Sequence, residues 1–142
     1  MMRVRRFAPR DGDAVARLWV TCFPHDPARN DPHAMIARKC ERDPDLFWVA
    51  TDGDAVVGAA LAGYDGVRGW LYHVAVDPSR RREGVGAALV KRAIAELEAL
   101  GCPKINLQVR VANAEVTGFY ESLGFTVDEV TSYGRMLGDS AG

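Results

Sequence analysis

Cysteine is scarce and poorly placed for metal or disulfide work. Cys22, Cys40 and Cys102 are odd in number and far apart, with no CxxC pair or Cys/His cluster. That argues against a metal centre or a disulfide framework, and suits three reduced thiols acting as small hydrophobes in a cytoplasmic protein. No apolar run is long enough to span a membrane. The opening Met1-Met2-Arg3-Val4-Arg5-Arg6-Phe7 carries charge without the apolar stretch of a signal peptide. A formal net charge of −1 supplies no basic excess to offset phosphates, so no nucleic-acid partner is expected. The one basic run, Arg80-Arg81-Arg82, has no interleaved aromatics to support such a partner. Repeats, low-complexity segments and linkers are also missing. The length of 142 residues, 48% of them hydrophobic, fits one domain over 1–142 with a loose tail at 138–142.

What is present alternates between strand and helix signals. Val4–Phe7 reads as an opening strand. Asp11 or Asp13 can cap the next helix, whose Val15, Leu18, Trp19 and Cys22 keep helical spacing. After a breaker-rich loop, Asp31-Pro32 starts a second helix that ends before Pro44. Leu46–Thr51 and Ala55–Ala62 pair around an Asp52-Gly53 turn, and Trp70–Val76 is a further strand. Gly84 opens a long helix through Leu100, stopped at Gly101. Ile105, Leu107 and Val109 alternate as a strand, Ala114–Leu123 is helical, and Phe125–Val130 and Ser132–Leu137 read as two closing strands. The order is β-α-α-β-β-β-α-β-α-β-β, a mixed α/β domain. Trp19, Phe47 and Trp48 are expected in the core. Lys91, Arg92, Glu96 and Glu98 are expected on a solvated helix face with local pairs.

The informative segment runs from Val74-Ala75-Val76 through Arg80-Arg81-Arg82-Glu83 into Gly84-Val85-Gly86-Ala87. A strand feeds a basic loop and then a helix whose start carries two glycines. The first turn of a helix has N–H groups without internal partners, and its dipole favours anions. Glycine lets a diphosphate approach the backbone, and Arg81 and Arg82 can add charge-assisted contacts. A Walker loop is excluded because Ala87-Ala88 follows Gly86. A dinucleotide fingerprint is excluded because Gly84 stands eight positions after Val76 and Leu89 replaces its third glycine. Coenzyme A has the remaining shape, a diphosphate at the helix end and an arm along the strand. Two glycines alone serve equally well to let a helix pack tightly.

Taken together, Arg81-x-x-Gly84-x-Gly86 after Val74-Ala75-Val76, then Asn113, then Gly118-Phe119-Tyr120-Glu121-Ser122-Leu123-Gly124-Phe125, resemble the GNAT superfamily of N-acetyltransferases. Gly63-Tyr64-Asp65-Gly66-x-Arg68-Gly69 and Gly101-Cys102-Pro103-Lys104-Ile105 resemble its small bacterial YpeA-like members. The resemblance implies the GNAT acyl-CoA N-acyltransferase fold, with a central, mostly antiparallel, twisted sheet flanked by helices. It implies that the Trp70–Val76 and Lys104–Val109 strands splay apart to admit pantetheine near Val74, Ala75 and Val76. Backbone amides from Arg81, Arg82, Glu83, Gly84, Val85, Gly86 and Ala87 would then hold the diphosphate, with Asn113 and Phe119 completing the cofactor site. The implied activity is direct transfer of an acetyl group from acetyl-CoA to a primary amine of a small molecule or protein. No metal is called for, and a homodimer is possible. The alternative is a non-catalytic acyl-CoA-binding module or sensor.

The reaction needs a neutral amine, a polarised thioester carbonyl and a proton for the departing thiolate. The resemblance makes Tyr120 the general acid, a phenol that stays protonated at neutral pH. The base is harder to place. The glutamate used by ribosomal-protein alanine acetyltransferases falls at Gln108, and that of histone-type relatives falls at Trp70. His73, Tyr72, Asp65 and Glu115 are possible relays. Histidine has the chemistry for it, but strand alternation sets His73 opposite Tyr72 and Val74, as a packed core residue. Cys102 has nothing to activate it as a nucleophile. Acceptor determinants are expected in Phe23–Asp31 and around Glu129–Tyr133, where Asp26, Asp31 and Glu129 would suit a cationic amine.

Overall fold

The computed structural model describes residues 1–110 and 116–138. Among these residues five strands form one sheet in the order β1-β2-β3-β4-β5: β1 (Met2–Arg6), β2 (Phe47–Asp52), β3 (Ala55–Tyr64), β4 (Gly69–Val76) and β5 (Ile105–Asn106). Neighbours are antiparallel through β4, and β4 pairs with β5 in parallel. Among the described residues four α-helices accompany them: α1 (Gly12–Cys22), α2 (Pro32–Arg42), α3 (Val85–Ala99) and α4 (Thr117–Ser122).

β2 shows how the layers arise. Its residues alternate across the sheet, yet Phe47 through Ala50 are all fully buried. Trp48 and Ala50 pack with Leu89, Val90, Ala93 and Leu97 of α3 on one face. Phe47 and Val49 pack with Val15, Leu18 and Trp19 of α1 on the other. A strand covered on both faces reads as a continuous apolar run. Burying aromatic side chains such as Trp19, Phe47 and Trp48 stabilises the fold by about 1.5–3 kcal/mol each. Among the described residues, no helix is long and apolar enough to cross a membrane.

Local signals set the helix ends. The Asp31 carboxylate accepts the Ala34 N–H at 3.1 Å and Pro32 occupies the first turn of α2. Gly101 follows α3 at φ +83°. Asp11 stands at the start of α1 without capping it. Its carboxylate instead takes the Ala8 N–H at 2.8 Å and both Arg5 guanidinium nitrogens at 2.8 and 2.9 Å. The α3 charges also differ from expectation: Arg92 donates to the Val4 carbonyl and Glu96 accepts from Arg6, so they tie the helix to the β1 end.

The carboxyl-terminal region departs most from the sequence reading. β5 ladders with β4 only at Gly69↔Ile105 and Trp70↔Asn106, so the expected Lys104–Val109 strand is cut to two residues. The expected closing strands at 125–130 and 132–137 are not formed. Side chains link this stretch to the β5 region instead: Lys104 and Asn106 donate to Asp128, and Gln108 donates to Ser132 Oγ at 2.8 Å. Val127, Val130, Tyr133 and Leu137 are exposed. A period-two pattern fixes a strand only where one face is buried, and neither face is buried here.

Candidate functional site

An open cleft of about 1510 Å³ runs between β4, the start of α3, the chain after β5, and α4. Its floor follows from the short β4–β5 ladder: beyond Trp70, β4 has no strand partner on that side among the described residues. The backbone of Tyr72–Val76 therefore borders the cleft, and apart from the His73 and Val76 carbonyls, which take the Trp19 indole and the Cys22 thiol, its edge can pair with an extended ligand.

At one end stands the start of α3. Gly84 precedes the helix at φ +81°, a left-handed conformation that glycine adopts without strain, and a Cβ there would meet nothing within 4 Å. Gly86 has a different job. A Cβ on it would lie 3.2 Å from Phe119 Cζ and 3.4 Å from Val76 Cγ2, so its absence lets α3 seat against both. One glycine thus serves an open loop and the other serves packing. Arg80 is committed to Asp52 and Glu83. Arg81 and Arg82 are exposed beside the cleft and have no carboxylate partner among the described residues. Arg82 sits at φ +68°. The Glu83 side chain pairs with Arg80 and does not line the cleft, which leaves its backbone N–H, the group expected at the cofactor, out of that pairing. Asn113 and Glu115 lie outside the described residues.

Tyr120 enters from α4. Gly124 ends that helix at φ +92°, which brings the Phe125 N–H onto the Tyr120 carbonyl at 3.1 Å. The rings of Phe119 and Phe125 then pack edge-on to Tyr120 at 4.9 and 5.8 Å. The Tyr-x-x-x-Gly-Phe spacing is thus a helix stop that fixes one phenol. Burial pushes the Tyr120 hydroxyl above its ordinary pKa, so it is a proton donor at neutral pH.

The opposite wall holds a group that the sequence did not bring together. The β3–β4 register slips between Ala59↔Ala75 and Leu61↔Tyr72, a bulge opposite Ala60. His73 lies in the bulge at φ +48°, and the strand's parity changes there. Leu71 faces the α3 layer whereas Ala75 faces the α1 layer. Trp19 Nε1–H donates to the freed His73 carbonyl at 3.1 Å. The imidazole packs edge-on against Trp19 and Phe23, and its Nε2 lies 2.8 Å from Asp26 Oδ2. Arg110 reaches Asp26 Oδ1 at 3.3 Å. His73 is therefore a half-buried wall of the cleft, tied to a carboxylate, where the sequence reading made it a packed core residue.

The other relay candidates separate cleanly. Asp65 accepts the Val67 and Arg68 N–H groups in the β3–β4 turn, away from the cleft. Tyr72 borders the cleft, and burial pushes its hydroxyl up. Gln108 borders it too, with its amide spent on Ser132. Cys102 packs by Gly69, and its thiol donates to the Lys104 carbonyl. Among the described residues no His/Cys/Asp/Glu group is arranged to hold a metal ion.

A mixed α/β sheet with one splayed parallel pair and a glycine-started helix at the opening defines a fold class. Comparison with known proteins places the chain within it. Residues 12–125 match the model of the acetyltransferase (GNAT) family, and the chain belongs to that family. It is 44% identical over 139 residues to an acetyltransferase of Pectobacterium atrosepticum, covering 97% of this chain and 98% of that one. Among solved structures it resembles Ard1 from Thermoplasma volcanium, at a TM-score of 0.81 and 28% identity over 89% of this chain and 84% of that chain. It also shares its fold with the aminoglycoside N-acetyltransferase AAC(6')-Iy in complex with CoA, at a TM-score of 0.80 and 19% identity over 96% and 95%. The chain is an acyltransferase that moves acetyl groups.

Proposed function

We propose that this protein is an acetyl-CoA-dependent N-acetyltransferase that transfers the acetyl group directly to a primary amine of a small molecule or protein. One observation carries the reading: the unpaired β4 edge, the glycine-started end of α3 and the Tyr120 hydroxyl all open onto one cleft. The residues present fit the cosubstrate. The amides from Arg81 to Ala87, with Gly84 lacking a Cβ and Arg81 and Arg82 uncommitted to carboxylates, suit a bridged diphosphate. The edge at Val74–Val76 suits the amide-bearing arm, bound like an added strand. Phe119, seated on Gly86, closes that side. Asn113 is proposed as a further contact to the arm. Tyr120 supplies the proton that the leaving sulfur takes up. Binding of CoA by the solved AAC(6')-Iy structure supports the same role for this cleft.

The test is thiol release from acetyl-CoA across a broad panel of amines, alongside calorimetry with CoA. Tyr120→Phe should lower kcat by about 10²-fold or more while CoA affinity changes less than threefold. Equal losses in both would refute the acid role. A non-catalytic acyl-CoA-binding module remains the second reading, because neither Gln108 nor Trp70 offers a carboxylate. It predicts stabilisation by CoA with no thiol release on any amine.

A further inference from the structure

A GNAT-type transfer from an ammonium substrate needs a proton acceptor, and neither Gln108 nor Trp70, both on the cleft lining, can take a proton. The structure assigns this task elsewhere: we infer that His73, held by Asp26 and Arg110, is the group that deprotonates the amine. This rests on the proposed N-acetyl transfer and names the residues that complete it.

Three independent features support it. The first is backbone strain. A non-glycine residue at φ +48° is strained, and the bulge that imposes it reverses the strand's parity at this residue. The buried Trp19 indole secures the distorted segment by taking the carbonyl that the bulge frees. The second is orientation. Nε2 faces Asp26 Oδ2 at 2.8 Å, so in the neutral ring Nε2 carries the hydrogen and Nδ1 carries the lone pair. Nδ1 has no hydrogen-bond partner among the described residues, and His73 lines the cleft. The third is support of the carboxylate. Asp26 Oδ1 takes Arg110, so the loop that carries Asp26 is fixed from the far side of the cleft. The charged and titratable groups around the imidazole are Asp26 and Arg110, with Cys22, Arg29 and Tyr72 on the same cleft lining.

The step balances without another reagent. His73 Nδ1 takes one proton from the ammonium, and Nε2–H stays hydrogen-bonded to Asp26. The amine lone pair forms the C–N bond to the thioester carbonyl carbon, the C–S bond breaks, and sulfur takes the Tyr120 proton. The second proton on nitrogen returns to Tyr120 through water, and His73 releases its proton to solvent. The products are the amide, CoA thiol and one proton. His73 is the catalytic residue here. Asp26 acts through it as a positioning residue.

The experiment follows kcat/KM against pH for wild type, His73→Gln and Asp26→Asn. Acetyl-CoA is used with the best amine from the panel and with a similar amine that is neutral at pH 7. H73Q should lose about 10²–10⁴-fold at pH 7 with the basic amine and lose the acid limb of the profile. Its deficit should shrink to less than tenfold with the neutral amine, with CoA affinity unchanged. D26N should keep the limb with part of the rate, and Asp26→Glu should recover some of it. The inference is overturned if H73Q keeps the wild-type profile, or if it loses both amines equally together with CoA binding. Wild-type protein that acetylates no amine would overturn the proposed function and this inference with it. Wild-type turnover with an unaffected H73Q would overturn this inference alone.

Discussion

Gly58 offers a stability test with an internal control. It lies in the middle of β3, directly under the first turns of α3. A Cβ built there would stand 2.8 Å from Val85 Cγ1, 3.0 Å from Leu89 Cδ1 and 3.1 Å from the Ala75 carbonyl oxygen. Val85 and Leu89 are buried, and the third neighbour is backbone, so none can swing away. Gly63, on the same strand, has nothing within 4 Å of the corresponding position. Replacing glycine by alanine inside a strand gains roughly 0.5–1 kcal/mol through the unfolded state. Overpacking costs about 1–3 kcal/mol. Gly63→Ala should therefore stabilise by up to about 1 kcal/mol, whereas Gly58→Ala should lose about 1–2 kcal/mol net. In a domain of this size 1 kcal/mol moves Tm by about 3–5 °C. The two variants should then shift in opposite directions, with G58A down by roughly 3–10 °C in thermal and urea unfolding. Because Val85 opens α3, G58A should also weaken CoA binding, and G63A should not. Equal shifts of one sign would show that α3 does not rest on Gly58.

The remaining predictions address the cleft and the charges. Gly84→Ala puts a Cβ at φ +81° in open space, so it should cost about 1–2 kcal/mol of stability from strain alone and weaken CoA binding in calorimetry. Unchanged affinity would remove the α3 start from the cofactor site. Asp11→Asn should destabilise by about 1.5–3 kcal/mol, because it leaves the bidentate Arg5 unpaired. The Arg5 hydrogen bonds hold the Asp11 carboxyl below its ordinary value against burial. Its stabilisation is therefore present above the usual carboxylate range and lost as pH falls through the depressed value. D11N should show a smaller acid-side fall in urea midpoint than wild type, and an identical fall would refute the coupling. Burial raises Tyr120, so its share of stability is complete below about pH 10 and drains as pH rises above that. Tyr120→Phe should retain more of its midpoint than wild type between about pH 10 and 11.

Much of the site was legible because its signals are local. The Tyr120–Phe125 spacing encodes a helix stop that positions its own tyrosine, as the Gly124 turn and the Phe125 N–H bond show. The strand–basic loop–glycine order likewise encodes a helix start, whatever packs around it. Other residues were misread because their roles depend on distant partners. Asp11 was read as a cap because of its place before a helix, yet Arg5 across the turn takes its carboxylate. The closing strands had the right alternation, but the structure gives them no surface on which alternation has a meaning.

The order of elements as far as α4 and the fixed phenol of Tyr120 belonged to the amino-acid sequence alone. They depend on periodicity, capping and turn chemistry within a few residues. The place of His73 belonged to the tertiary structure. Its face is set by a slip between β3 and β4, its carboxylate stands 47 residues earlier, and the arginine that steadies that carboxylate stands 84 residues beyond it. Strand parity counts residues along one chain, whereas a bulge is settled between two, so only the folded sheet could show which way that imidazole points.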